Sequence, residues 1–486
     1  MTRLTKIALV LAMPASFAGC ADDTDNETNA TSPATTGETD PSASMSDPSM
    51  SDPSASMTDP TDTDSADTTD TAPVGCVDGD DPGAPRMEVG ALIEADTTLT
   101  CDTVWVLTQA TFVRNAVLTV EPGTTVVGAN GSVLAIEATS RLEAAGTPGG
   151  PIVFTSAQPK GERQRADWGG VVLIGNGLVN TRNGTGVVEG FADPPSYGGN
   201  DPAHNCGTLQ YVRVEFAGFQ VVDGNELNGI GWFGCGTDSV ADHVQSHMGS
   251  DDAFEWFGGG FDAKYLIATG MQDDAVDTDY GFAGAIQYVF VHQDPLDESG
   301  NHALEWANNP DDFSATPIAS PAVSNLTFVG QGPDGNAGKS IGFVLKEGTE
   351  ASIYNSYFTN VTGFGASLQD QETIDIAADG VGIVVEGTFW GTTGGFGFQG
   401  DGPYSWTEIE LESFLLDQPG NMDGVDLGLD ATWAAPNIKP AADSAAVGAG
   451  VAAGVPGIED TTYVGAVDPE ATDDWTQASW VNYELN

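Results

Sequence analysis

Between residues 116 and 156 apolar and polar positions alternate in runs of four or five, each cut short by Gly, Pro or Asn. Val117-Leu-Thr-Val120 meets Glu121-Pro-Gly123, and Ser132-Val-Leu-Ala-Ile136 follows Gly128-Ala-Asn-Gly131. Arg141-Leu-Glu-Ala-Ala145 and Ile152-Val-Phe-Thr-Ser156 flank a Gly-Thr-Pro-Gly-Gly turn. A period of two bounded by turn formers predicts short β-strands. No window of comparable length repeats its apolar residues at 3.6, so helices do not organise this chain. Strands this short suit a sandwich or a parallel β-helix.

A phrase written three times favours the helix: Asp252-Ala-Phe-Glu-Trp256, Asp274-Ala-Val-Asp-Thr278 and His302-Ala-Leu-Glu-Trp306. The copies start 22 and then 28 residues apart, the longer interval holding the polar insert His292-Gln-Asp-Pro-Leu-Asp-Glu-Ser-Gly300. Self-similarity at that period marks a solenoid in which each copy is one coil. Strands on successive coils stack about 4.8 Å apart, so each sequence column becomes a ladder of like side chains. The expected fold is all-β: a single right-handed parallel β-helix over residues 76–486 with an irregular C-terminal cap from about 400. There Trp406, Leu411, Phe414 and Leu415 form a short amphipathic element covering the last coil, because a solenoid must hide its open edge.

The run Leu118-Thr-Val-Glu-Pro-Gly-Thr124, with Leu142-Glu-Ala-Ala-Gly-Thr147 and Ile152-Val-Phe-Thr-Ser156, resembles the opening coils of bacterial right-handed β-helix surface proteins. Trp168-Gly-Gly-Val-Val-Leu-Ile-Gly175, Tyr211-Val-Arg-Val-Glu215, Asp251-Asp-Ala-Phe-Glu-Trp-Phe-Gly258 and Thr462-Tyr-Val-Gly-Ala466 extend the likeness over most of 105–486. Together they resemble a family of secreted β-helix lipoproteins of Gram-negative bacteria whose activity is not established. The architecture is more distantly similar to pectate lyases and polygalacturonases, in which acids on one face bind calcium or cleave sugar chains. The Gly-His-Gly and Arg-x-Lys of the polygalacturonases are absent, and only Asp273-Asp274 imitates their paired carboxylates.

Residues 1–20 read as an export signal: Arg3 and Lys6, the apolar Ile7-Ala-Leu-Val-Leu-Ala12, then Phe17-Ala-Gly-Cys20. The small-small-Cys ending resembles a lipobox, which implies lipidation of Cys20 and, with Ala21 next, anchorage in the outer membrane. Residues 21–75 hold 13 acids, no Lys or Arg, and recurrent Ser, Thr, Asp and Pro. Such a segment cannot bury enough apolar surface to offset its chain entropy, so it is expected to be a disordered tether with a coil reach of roughly 40 Å. Acids outnumber Lys and Arg 71 to 14, a net charge of −57. That excludes nucleic acid as a partner and leaves cations, neutral or basic ligands, or salt tolerance as its meaning. With Cys20 set aside, four cysteines in an exported chain read as two disulfides, Cys76–Cys101 and Cys206–Cys235 being the sequential pairing among three allowed.

In the repeat, strict alternation turns Phe254, Val276, Leu304, Trp256 and Trp306 inward and leaves Ala253, Ala275 and Ala303 outward beside Glu255, Asp277 and Glu305. Stacked carboxylates repel, so one should hold a raised pKa or a cation should lie among them. Hard oxygen donors on a rigid scaffold select calcium, with Glu255, Asp274, Asp277, Asp279 and Glu305 as ligands and the insert acids Asp294, Asp297 and Glu298 available to complete the shell. Asp252, His302 and Trp306 are the accompanying ligand-binding candidates. Asp274, Asp277 and Lys264 are the candidates for catalysis, with Arg213 and Lys346 as further possible bases. His243 and His247, four apart on a strand, sit about 13 Å apart, too far to share a metal. The sequence thus predicts a surface lipoprotein that binds a polysaccharide or cell-surface glycan with calcium. A calcium-dependent polysaccharide lyase or glycosidase is the alternative, and a structural spacer the third reading.

Overall fold

The computed structural model describes residues 73–219, 226–297, 299, 302–333, 335 and 338–486. Cys20, residues 21–72 of the tether and Glu298 lie outside the described residues. The described residues from 73 onward form one compact unit. Apart from the short antiparallel pair Gly186–Val187 and Ser196–Tyr197, its strands fall into a 16-stranded and an 11-stranded sheet, in both of which successive coils pair in parallel. This is the parallel β-helix expected from the repeat.

The larger sheet bends in mid-strand, and the bend is written in the backbone. Tyr211, His243, Tyr265, Tyr288, Asn325 and Asn355 occupy the same position on successive coils with φ between 48° and 62°. A left-handed residue turns the chain sharply and suits Asn, but costs a bulky side chain of order 1–2 kcal/mol. Stacking offsets that cost: ring centroids lie 4.4 Å apart for Tyr211 and His243, 4.3 Å for His243 and Tyr265, and 4.7 Å for Tyr265 and Tyr288. His243 is thus a rung of an aromatic ladder, while His247 bonds the Thr269 hydroxyl and the Glu484 carbonyl. Neither histidine is placed as a metal ligand.

Inside the coils, Trp168, Trp232, Trp256, Trp306 and Trp390 are buried with Leu, Val and Phe from every rung. The strands Ala285–His292 and Ala322–Val329 are buried on both faces. Their outer face is covered by the segment after residue 417, which returns along the larger sheet. Ile438, Ala466, Val467 and Trp480 pack there on Ile267, Phe290 and Val329. Buried amides clamp it: Gln287 donates to the Glu459 carbonyl at 2.8 Å and accepts its N–H at 3.0 Å. Asn355 does the same with Val451, and Gln245 with Asn482.

Two helices interrupt the coils. α1 (Gln371–Asp379) is capped by Asp370, and α2 (Glu408–Leu416) by a Thr407–Glu410 capping box. Leu411 and Leu415 of α2 bury against the end of the core, but Ile409 on the same helix is exposed, so the expected amphipathic division into two faces is not what the helix shows. Disulfides join Cys76 to Cys101 and Cys206 to Cys235, with Cα atoms 4.6 Å and 5.7 Å apart. Among the described residues no helix is long and apolar enough to cross a membrane.

Candidate functional site

The three copies of the repeated phrase are three neighbouring rungs of the 11-stranded sheet: Phe254–Phe257, Val276–Asp279 and His302–Ala307. Register places Glu255 opposite Asp277 and Asp277 opposite Glu305. The column begins after Gly231 and stops at Val344, so the acids form a stack three deep.

Each rung is fastened to the next by the polar residue that opens the phrase. Asp252 accepts the Asp274 N–H at 2.8 Å, and Asp274 accepts the His302 N–H at 2.6 Å. Strict alternation fails at this point. Ala253, Ala275 and Ala303 are core residues rather than outward neighbours of the acids, because the chain turns at the fastening residue before the strand begins. The expected open groove is instead a largely buried one: Asp252 is 6 % exposed, Glu255 8 % and Asp274 2 %. Asp277, Asp279, Asp251 and Asp273 are half-buried. Val179, Val188 and Tyr197, from the long loop after Ile174, pack on Phe233 and Phe257 at one side. From the same loop comes Glu189, which with Glu255 shares the Asn228 amide.

Burial and mutual repulsion dominate the electrostatics. Burial first, then neighbouring carboxylates, push Asp251, Asp252, Glu255, Asp274 and Asp277 well above the usual carboxylate range. Burial raises Asp279 to about 8, Glu189 to about 7 and Glu347 to about 7. Glu305 is the exception. Burial pushes it up, but the His302 hydrogen bond and the Lys346 charge overcome this and hold it low. His302 Nδ1 lies 2.8 Å from Asp274 and 2.9 Å from Glu305, and Lys346 is ion-paired with Glu305.

Three sets of side chains each bring donor atoms within 4.8 Å of one another: Asp274, His302 and Glu305; Asp251, Asp252 and Asp273; and Asp252, Glu255 and Asp277. They are not equivalent. The first is already held together by the imidazole and by Lys346. The other two are all-oxygen, and Asp252, Glu255 and Asp277 form no ion pair with Lys or Arg among the described residues. Hard oxygen donors of this kind could hold a metal ion, although the Lys346 charge is felt at Asp277.

The other sequence candidates go elsewhere. Trp306 is fully buried inside the coil, so it presents no surface to a ligand. Lys264 lies on the other sheet and pairs with Glu459 at 2.6 Å, and Arg213, also there, pairs with Glu215. The insert acids complete no shell: Asp294 and Asp297 hold Arg165 at 2.9 Å and 3.3 Å. Of the three possible bases only Lys346 joins the stack. Glu189 and Asn228 are the residues that sequence reasoning missed, and no periodic signal marked them.

A family model described as a pectate-lyase-like beta helix domain matches residues 90–398. No curated protein and no solved structure matches the chain.

Proposed function

The chain belongs to the pectate-lyase-like β-helix family, and from that premise we propose that it is a calcium-dependent glycan-binding protein of the cell surface, carried on a lipid at Cys20 and an acidic tether. The reading rests on one observation: oxygens of Asp252, Glu255 and Asp277 converge within 4.8 Å, largely shielded from water and without a paired base. Such a group has two ways to lower its energy at neutral pH, to keep protons or to take up a cation. Asp252, Glu255 and Asp277 hold the ion, with Asp251 and Asp273 beside them; Asp274 and Glu305 orient the neighbouring rung through His302. A calcium held by these residues would supply positive charge to which the hydroxyls or carboxylates of a glycan would be drawn. Within the family's architecture a carbohydrate is the ligand class that an elongated, rigid face of this kind fits best.

Glycan-array binding by the purified protein, run in calcium and again in chelator, tests the proposal. Calcium-dependent binding to a defined set of glycans supports it; the same binding pattern in chelator, or none in either, counts against it. The alternative as a lyase or glycosidase has one favourable observation, the opposite displacement of Asp274 and Glu305. New unsaturated or reducing ends from a polysaccharide panel, abolished by Asp274→Asn, would replace the binding reading with an enzymatic one.

A further inference from the structure

A cavity of about 700 Å3 opens between the loop 310–318 and α1, with Gly348 and Glu350 also in its wall. That volume is within the usual range for a binding pocket. The walls are fixed from within. The Asn308 amide donates to the Phe313 and Ala315 carbonyls at 3.1 Å each, and Asn309 Oδ1 accepts the Asp311 and Asp312 N–H groups. Gly348, with φ 76°, lies so close to the loop that a Cβ would meet the Phe313 carbonyl oxygen at 2.2 Å. Its N–H donates to the Thr373 hydroxyl of α1 at 2.9 Å, so loop, turn and helix are held as one piece.

Two kinds of side chain line this groove. Phe313, Ile318 and Ile376 are half-buried, which leaves apolar surface facing the cavity. Around them stand Asp311, Asp312, Glu350, Glu372 and Asp375, all exposed, and no Lys, Arg or His lines the cavity. Asp312 and Asp375 accept hydrogen bonds from Ser314 and Gln371, which are neutral donors. None of the five is ion-paired among the described residues, and Lys346, two residues before Gly348, is taken by Glu305. Glu372 and Asp375, three apart on α1, repel each other. Exposed acids by themselves are a solvated face on a chain of net charge −57. These five differ in surrounding a preformed apolar groove, and apolar surface beneath uncompensated negative charge selects a ligand that is apolar and positive at once.

Net charge also narrows the occupant. A second copy of the chain, its own acidic tether and an anionic lipid surface are all repelled. Five carboxylates spread over loop, turn and helix exceed what a single ammonium group neutralises. We propose that this groove docks a short basic segment of a partner protein, in which an apolar side chain lies between lysines or arginines. The apolar residue seats on Phe313, Ile318 and Ile376, and the flanking bases pair with the carboxylates. Docking needs no metal and does not involve the acid stack.

Fluorescence anisotropy of the purified protein with a labelled Lys-Leu-Lys-Phe-Lys-Arg peptide, in chelator and about 150 mM salt, tests this. The expected result is saturable binding with Kd on the order of 10 μM. Replacing the Leu and Phe of the peptide by Ser should weaken it about tenfold. Glu372→Gln with Asp375→Asn, at exposed positions of α1, should weaken it about fivefold at an unchanged or higher melting temperature. Glu88→Gln with Glu94→Gln removes as much charge on the first coil, at the opposite end of the solenoid, and should leave affinity unchanged. Absence of saturable binding, equal affinity for the Ser peptide, or equal losses in the two double variants overturns the proposal. So does spermine binding as tightly as the peptide, which would make the ligand a small polyamine. With chelator present throughout, these outcomes are separate from those of the calcium reading.

Discussion

Asp277→Asn removes the central charge of the stack while keeping its shape. In the wild type, Asp252, Glu255 and Asp277 place oxygens within 4.8 Å of one another. At an effective dielectric constant of about 20, two full charges at that distance repel by about 3 kcal/mol. Burial first, and this repulsion after it, favour holding protons, and together they push these groups up. An acid whose folded pKa exceeds its unfolded value carries no penalty below the unfolded pKa, near 4. Its penalty then grows by about 1.4 kcal/mol per pH unit and is complete above the folded pKa. For Asp279, raised to about 8, the window runs from about pH 4 to pH 8; Asp277, displaced in the same direction, opens its window at the same end. The variant should therefore match wild type within about 1 kcal/mol at pH 4.5. At pH 8.5 in chelator it should be more stable by about 2 kcal/mol, the loss of attraction to Lys346 offsetting part of the relief. Calcium should then raise the melting temperature of the wild type and leave the variant nearly unmoved. Calorimetric melts at the two pH values, with and without calcium, read all of this. A variant less stable than wild type at pH 8.5 in chelator would refute the reasoning, because the carboxylate would then be a favourable partner rather than a repelled one.

Lys346→Met strips Glu305 of its cation and leaves it only the His302 hydrogen bond, which should cost about 3 kcal/mol at pH 8 by denaturant titration. Replacing Cys206 and Cys235 by Ser releases a link 29 residues apart in sequence and should lower unfolding stability by about 3 kcal/mol in the same assay. Trp306→Ala empties an indole site inside the coil and should cost about 4 kcal/mol of stability while the folded protein keeps its glycan affinity. Lost affinity at unchanged stability would instead return Trp306 to the ligand surface.

Much of the coil architecture was legible because its signal is periodic. A stacked column repeats at coil length, so Glu255, Asp277 and Glu305 announce one another across 22 and 28 residues, and the structure places them in one register. What escaped was whatever breaks the period. Ala253, Ala275 and Ala303 turn inward because the chain bends at the fastening residue, and a two-residue alternation has no place for a bend. Glu189 reaches the stack from a long loop whose sequence carries no coil rhythm. Asp294 and Asp297, available in the sequence to complete the shell, are held elsewhere. Their partner Arg165 lies 129 residues away from Asp294 in sequence, a pairing no local pattern encodes. The outward apolar residues Ile267 and Phe290 conceal a similar distance, since the segment that covers them comes from the far end of the chain.

The central claim is that the buried all-oxygen group is a cation site, and calcium titration calorimetry of the purified protein near pH 7, repeated in buffers of different ionisation enthalpy, tests it most directly. Because Asp252, Glu255 and Asp277 titrate high, calcium must displace protons from them. The account predicts saturable binding with net proton release, both lost in Asp277→Asn. Saturable heat without proton release, or no heat at all with an unchanged melting temperature in chelator, would contradict it.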